Sequence, residues 1–522
     1  MAVFELVLAL LLGGVGLALL APRLGVPWPA LLALAGAALA FVPGVPVVEL
    51  DPELALALFV APVLLDAAYD ASPRDLRDNW LPVGGLVLGA VGLTVAVVAL
   101  VARWVEPSLP WAAAVALGAI VAPPDAAAAT AVLRQVRLPH RVKVILEGES
   151  LLNDASALLI YRVAVGAAAG GITAWTMPLL ALAAVGGVAL GIVLAKGYLA
   201  VAARVEDGPA AEVLAFLATF GVWLLAERLG LSAVLAMVAF AITLARTAPE
   251  RMDARRRRSS YAVWDVAVFV LNVLAFILVG LQLRGILERL DGQAGRYAAV
   301  AAAVLAAAIL VRIVWVVGYY VVAQWTDRCS GASMATRPRG RLLSPRSLGG
   351  GIVISWCGMR GIVTLAAALA LPADFPGRDL ILFASFCVVL GTLVVQGLTL
   401  RPLLSRLLLP RDETVEEEVA LARREAARAA LDVLGTAAGT DRDSEARLLL
   451  EREYRARLES SAQQGSRAAD PTGLGTLRRR ALAAERARLA ALRREERIGD
   501  DAFHHIEEEL DWAESEADGP GR

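Results

Sequence analysis

Ionisable side chains set inside long apolar stretches are where this sequence could do chemistry. In ILEGESLLNDASALLIY, Glu147, Glu149 and Asp154 stand among aliphatic residues. Asp66 lies in APVLLDAAY, and Asp125 follows a double proline in AIVAPPDAAAAT. Arg312 and Arg360 interrupt VLAAAILVRIVWVV and SWCGMRGIVTL, while Glu227 in WLLAERLG lies nearer the end of its stretch. At the centre of a bilayer each such group costs about 2.5–3.5 kcal/mol on insertion scales, so each needs a partner or a function. Residues four apart share a helix face, which gives Ser150 and Asp154 one stripe and Glu149 and Asn153 the next. This wall offers hard oxygen ligands without His or Cys, a donor set for a small alkali cation rather than a transition metal. A seam that only hydrogen-bonds a neighbouring helix would not need several carboxylates. A carboxylate withdrawn from water must hold either a proton or a cation, and mutually exclusive occupancy makes an exchanger. Arg360, rigid and permanently charged, could neutralise Asp66 or Glu149 and leave Asp154 to titrate. For Arg312, a pairing with Glu227 or with a helix C-terminus is as good a reading as a transport role.

The composition says what solvent these residues live in. Of 522 residues 58% are hydrophobic and 19% charged, with a mean hydropathy of +0.63, which is the signature of a membrane protein. Residues 411–522 hold 45 charged side chains in 112 positions against 56 in the first 410, so a boundary near Pro410 separates two solvents. The net charge of −1 divides into +6 before that boundary and −7 after it. An acidic tail, and basic residues shared among short loops, remove the electrostatic warrant for nucleic-acid binding. Three cysteines without metal-ligand spacing argue against a disulfide framework and a structural zinc. No cofactor is expected. The apolar N-terminus lacks a basic n-region and carries Glu5, which makes it a first span rather than a signal peptide.

Apolar runs long enough for a ~30 Å hydrocarbon core predict thirteen helices, near 2–21, 28–42, 53–69, 80–102, 111–133, 141–169, 172–203, 209–229, 231–246, 262–284, 297–324, 349–372 and 379–405. An odd number puts the chain ends on opposite sides. Loops on the tail side carry 22 Lys and Arg against 7 on the other, including the run Arg255 to Arg258, read as a topology anchor. By the positive-inside rule the N-terminus is outside and the tail cytoplasmic. Six helices, a linker and six more is the count of two inverted repeats, and the fifth and twelfth segments then correspond. The fifth is broken by Pro123 and Pro124 and the twelfth by Gly358 and Gly361. Paired breaks place a candidate substrate site at mid-membrane, where freed backbone groups line a cavity. The tail reads as charged helices, a solvated hairpin or coiled coil, interrupted at SAQQGSRAADPTGLGT.

At these residues residues 1–410 resemble the monovalent cation/proton antiporters, in the sodium/proton exchanger branch with NhaP-type bacterial members. EGESLLND is the most specific element, supported by GAIVAPPDAAAAT, GMRGIVTLAAALALP and FVLNVLAFILVGLQL. The resemblance implies a homodimer of thirteen-helix protomers, each with a dimerisation subdomain and a mobile core of crossed, broken helices. It implies that Asp154 binds the ion and the proton, with Ser150 and Asp125 nearby and Asn153 as the polar residue before the aspartate. Na+ would then sit at Asp154, Asp125 and Ser150, with Pro124 and Asp66 completing the ion-binding set. It also implies that Arg360 braces the core through Asp66 and Glu149. Two positions depart from the pattern. The usual Thr-Asp-Pro is Pro124, Asp125 and Ala126 here, so only the Pro124 carbonyl replaces a threonine hydroxyl, and the usual helix-three Glu is Asp66.

The expectation is thus an all-α polytopic antiporter of the cell membrane, not an enzyme, with an antiporter domain at 1–410 and a cytoplasmic, regulatory helical tail at 411–522. It would exchange Na+, or Li+ or K+, for H+ electroneutrally by alternating access and serve pH homeostasis. Its partners are the two ions, the lipid bilayer and a second copy of itself. The competing readings are a K+/H+ antiporter with the same site, a small organic anion carrier, which needs a basic residue free at the crossing and would be favoured by an Arg360 lacking a carboxylate partner, and a membrane sensor or scaffold acting through its tail. All proposed ion ligands precede Pro410, so deleting 411–522 is expected to leave exchange intact in proteoliposomes and to move at most its pH profile.

Overall fold

The structure is a computed structural model that describes residues 2–43, 45, 51–125, 138–171, 175–205, 209–251, 254–290, 293–329 and 348–407, with 428, 429, 431, 452 and 455. The chain divides into two units, Met1–Asp412 and Glu413–Arg522, and the elements below belong to the first. The tail expected to be helical falls almost wholly outside the described residues.

Among the described residues every regular element is a helix, as lipid demands of a chain whose backbone groups must be satisfied within each segment. In chain order they are α1 (Ala2–Leu24), α2 (Trp28–Leu39), α3 (52–70), α4 (Pro73–Asp78), α5 (Trp80–Val105), α6 (Trp111–Val121) and α7 (His140–Ala168). There follow α8 (Thr176–Ala202), α9 (Pro209–Arg228), α10 (Ala233–Arg251), α11 (Ala254–Glu288), α12 (Ala294–Cys329), α13 (Leu348–Trp356), α14 (Ile362–Leu369) and α15 (Arg378–Arg406). Nine of the described helices are long and apolar enough to cross a bilayer, and Trp28–Leu39, Trp111–Val121 and Ala233–Thr247 are apolar but shorter. Helices α11 and α12 run past the apolar windows 262–284 and 297–324, because a helix can continue into water where its hydropathy no longer advertises it. The run Arg255 to Arg258 falls in the first turns of α11.

Hydropathy gives no sign of α4. Ser72 caps it by accepting from the Asp75 N–H at 3.2 Å, with Pro73 in the first turn. It is tied to the start of α7, where His140 Nε2 lies 3.2 Å from Asp75 Oδ2 and Arg141 Nε donates to Asn79 Oδ1 at 3.1 Å. Single π turns occur at Leu56–Val60 within α3 and Gly85–Ala90 within α5.

The helices pack most extensively within two sets. One contains α1, α2 and α11 with α3 and α8 to α10. The other contains α5 to α7 with α12 to α15. Small residues make the closest crossings possible, as they must where lipid supplies no hydrophobic drive between helices. A Cβ on Gly36 would meet the Ile277 carbonyl, and one on Gly280 the Ala33 carbonyl, so α2 and α11 touch backbone to backbone. Gly187 and Gly191 serve α8 in the same way against the carbonyls of Ser232 and Ala236. Gly280→Ala is therefore expected to destabilise the domain by about 1–3 kcal/mol, the usual cost of overpacking, and to lower the melting temperature in detergent. Gly13→Ala, with open space around it, should leave that temperature unchanged.

Candidate functional site

The end of α6 and the interruption between α13 and α14 meet in the second set. Helix α6 ends at Val121 and the chain leaves helical geometry through Pro123 and Pro124, while residues 126–137, the expected second half of the fifth segment, lie outside the described residues. The twelfth segment is broken as its glycines predict, with α13 ending at Trp356 and α14 beginning at Ile362. The two breaks touch directly: Asp125 N–H donates to the Met359 carbonyl at 2.6 Å. Glycine is required here for room. A Cβ on Gly361 would overlap the Asp125 carboxylate, and one on Gly358 would lie 2.8 Å from Arg312 Nε.

Broken helices leave C-terminal carbonyls without donors, and the negative end of each helix dipole with them. Each break is met by an arginine. Arg360, 1% exposed, donates from Nε to the Val121 carbonyl at 2.9 Å, from Nη2 to the Ala122 carbonyl at 3.4 Å and from Nη1 to the Gly358 carbonyl. Its guanidinium thus closes the end of α6. Arg312, 4% exposed, donates from Nε and Nη2 to the Ile354 carbonyl at 3.2 and 3.0 Å and so closes the end of α13. The other edge of the same guanidinium grips Glu149 with both oxygens, Nη2 to Oε2 at 2.7 Å and Nη1 to Oε1.

This geometry corrects the pairing expected from the sequence. Glu149 belongs to Arg312 rather than to Arg360, whose guanidinium bonds backbone carbonyls. Glu227 lies 3.6 Å from Arg162 and not against Arg312. Glu147 lies on the half-exposed side of α7, 3.4 Å from Lys143. Of the alternatives weighed for Arg312, the helix C-terminus is the one observed, together with a carboxylate that had been assigned elsewhere. A surplus of carboxylates on one helix was the available signal, since a buried Glu149 requires a cation from some other helix.

Asp154, Ser150, Asn153 and Glu149 all lie on α7, with Asn153 fully buried, Asp154 8% exposed and Ser150 half-buried one turn before it. Asp125, half-buried at the break after α6, is the charged neighbour of Asp154. Asn153 Nδ2 donates to the Pro124 carbonyl at 3.1 Å. The one oxygen available in place of a threonine hydroxyl therefore already accepts a hydrogen bond. Among the described residues Asp154 itself has neither a hydrogen bond nor an ion pair. Asp66 stands apart. It is half-buried on α3 in the other helix set and lines a cavity of about 70 Å³ with Tyr69, Tyr198, Thr219, Tyr261 and Trp264, a cavity that Asp154 and Asp125 do not line.

A membrane domain that is helical throughout its described residues, with the end of α6 meeting the break between α13 and α14 beside buried carboxylates and arginines, is that of a multi-pass membrane transporter. The match of residues 7–406 to the transmembrane sodium/hydrogen exchanger family makes the assignment specific: the chain belongs to that family of antiporters. It is 33% identical to an uncharacterized Na+/H+ exchanger of Mycobacterium tuberculosis over 93% of this chain and 91% of that protein. The low-affinity Na+/H+ antiporter NhaS1 of Synechocystis is 29% identical over 76% of this chain and 74% of its own. A sodium, potassium, lithium and rubidium/H+ antiporter of Bacillus pumilus is 29% identical over 88% and 70%. The fold is that of the sodium proton antiporter of Methanocaldococcus jannaschii, with a TM-score of 0.59 at 20% identity over 78% of this chain and 99% of that one.

Replacing Glu149 by Gln leaves Arg312 as an uncompensated buried charge. Breaking a buried pair from one side costs about 3–5 kcal/mol, so Glu149→Gln should lower the detergent melting temperature by several degrees. The double variant with Arg312→Met should recover part of that loss.

Proposed function

We propose that this protein exchanges Na+ for H+ one for one at Asp154, by alternating access across the cell membrane, and so serves sodium extrusion and pH homeostasis. The observation that carries the reading is the charge arrangement at the crossing. Glu149 is closed in a bidentate pair with Arg312, Arg360 is held by three carbonyls, and Asp154 has no fixed partner among the described residues. Asp154, Asp125 and Ser150 Oγ supply oxygens for the cation, with the second lone pair of the Pro124 carbonyl. Asn153 cannot titrate, which favours electroneutral exchange.

The protein would work as a homodimer of thirteen-crossing protomers, N-terminus outside, with residues 411–522 as a cytoplasmic regulatory tail. Arg360 lacks a carboxylate partner, as an organic anion carrier asks, but it is not free, since every guanidinium nitrogen is bonded to a carbonyl, and the family match to sodium/hydrogen exchangers favours a cation. A wider alkali-cation range, K+ included, is a second reading, supported by the printed substrates of the Bacillus pumilus relative.

Proteoliposomes loaded with a pH dye test the reading. Na+ should drive proton flux in the wild type and not in Asp154→Asn, which has no charge to hold the cation and no proton to release. Lowering the pH should raise the Na+ concentration for half-maximal rate without changing the maximal rate, because protons compete for the same carboxylate. An imposed 100 mV, worth about 2.3 kcal/mol per net charge moved, should leave the equilibrium ion ratio where it was. A ratio that follows the voltage would refute the one-for-one count.

A further inference from the structure

We propose that Thr392 is a positioning residue of the ion site, acting on Asp125 through a single peptide plane. The plane is the Met359–Arg360 peptide in the break between α13 and α14. Its carbonyl accepts from the Asp125 N–H at 2.6 Å. Its N–H, which the break deprives of a helical acceptor, donates to Thr392 Oγ1 on α15 at 3.0 Å. The peptide unit is planar and rotates as one body, so whatever fixes the N–H also fixes the direction of the carbonyl that holds Asp125.

The hydroxyl is itself oriented. Thr392 Oγ1 donates to the Val389 carbonyl at 3.1 Å, which commits its hydrogen and turns a lone pair toward Arg360. Thr392 is fully buried and Arg360 1% exposed, so water cannot replace the lost acceptor. A hydrogen bond at each end of one amide also polarises it, which strengthens both bonds. Arg360 adds a further constraint, because the residue whose N–H meets Thr392 also holds the end of α6 with its side chain. Without the hydroxyl, this peptide can tilt to find another acceptor, and its carbonyl then releases the backbone of Asp125 beside Asp154. The effect should appear in cation binding, not in the rate of the conformational step.

This inference rests on the exchange reading above, and purified Thr392→Val, Thr392→Ala and Thr392→Ser in proteoliposomes test the two separately. A buried donor left without an acceptor costs about tenfold in an equilibrium constant. The Na+ concentration for half-maximal exchange should therefore rise about tenfold in Thr392→Val and Thr392→Ala, with a maximal rate within twofold of wild type and an altered Li+/Na+ preference. Thr392→Ser, which keeps the hydroxyl and loses the methyl, should stay within twofold of wild type in all three quantities. If Thr392→Val does not fold, the Ala and Ser variants make the same comparison. Ala and Ser variants that behave alike, or a loss confined to the melting temperature, would overturn the role of Thr392 and leave the exchange reading standing. A wild type that moves no alkali cation would overturn both.

Discussion

Helix ends inside a membrane must find hydrogen-bond donors within the protein, and this requirement organises the domain. Breaking helices frees carbonyls to face a cation, but it also leaves C-terminal carbonyls that lipid cannot satisfy. The long, planar, always-charged guanidinium meets that need, since it reaches across helices and donates in several directions at once. Arg360 reaches from one break to the helix end of the other. Arg312 reaches from an intact helix to the end of α13 and at the same time takes up Glu149. Without these two residues the crossing would be a pair of buried, unsatisfied helix termini.

The same arrangement divides the carboxylates by what they can do. A carboxylate gripped through both of its oxygens by one edge of a guanidinium has its charge committed, and Glu149 is in that condition. Asp154 lies five residues further along the same helix on the neighbouring stripe, close to Asp125. One turn of geometry thus separates a structural acid from the one proposed to exchange its occupant. A neutral Asn153 between them, bonded to the Pro124 carbonyl, anchors α7 to the break after α6 without adding a charge.

Much of this was legible in the sequence, for reasons that can be named. Apolar length marks the helices because a bilayer imposes a minimum span, and Pro123, Pro124, Gly358 and Gly361 mark the breaks because those residues disrupt helical hydrogen bonding or packing. The spacing of Glu149, Ser150, Asn153 and Asp154 gives their shared helix through simple periodicity. What could not be read was who meets whom. Arg360 and Arg312 are both isolated arginines in apolar runs, and nothing local distinguishes the one that binds backbone from the one that pairs with Glu149. Carbonyl partners such as Val121 and Ile354 leave no mark in a sequence, since every residue has one. Helix α4 escaped for a different reason: it is short and polar, and only its Ser72-Pro73 start signals it. Residues 126–137 and most of the tail lie outside the described residues.

The π turn at Leu56–Val60 in α3 has a consequence for how this site can vary between relatives. A π turn holds one residue more than the α-helical turn it replaces, and each residue of an α-helix turns the chain by about 100°. Deleting one residue from this stretch would restore an ordinary helix and leave its two parts in nearly the same relative rotation, because the wider turn already absorbs the extra residue. Ala55, buried before the turn, and Asp66, lining its cavity after it, would then both keep their present neighbours. A relative one residue shorter here would thus still point a carboxylate the same way, and alignments that forbid a gap in this helix will mistake a displaced carboxylate for a missing one.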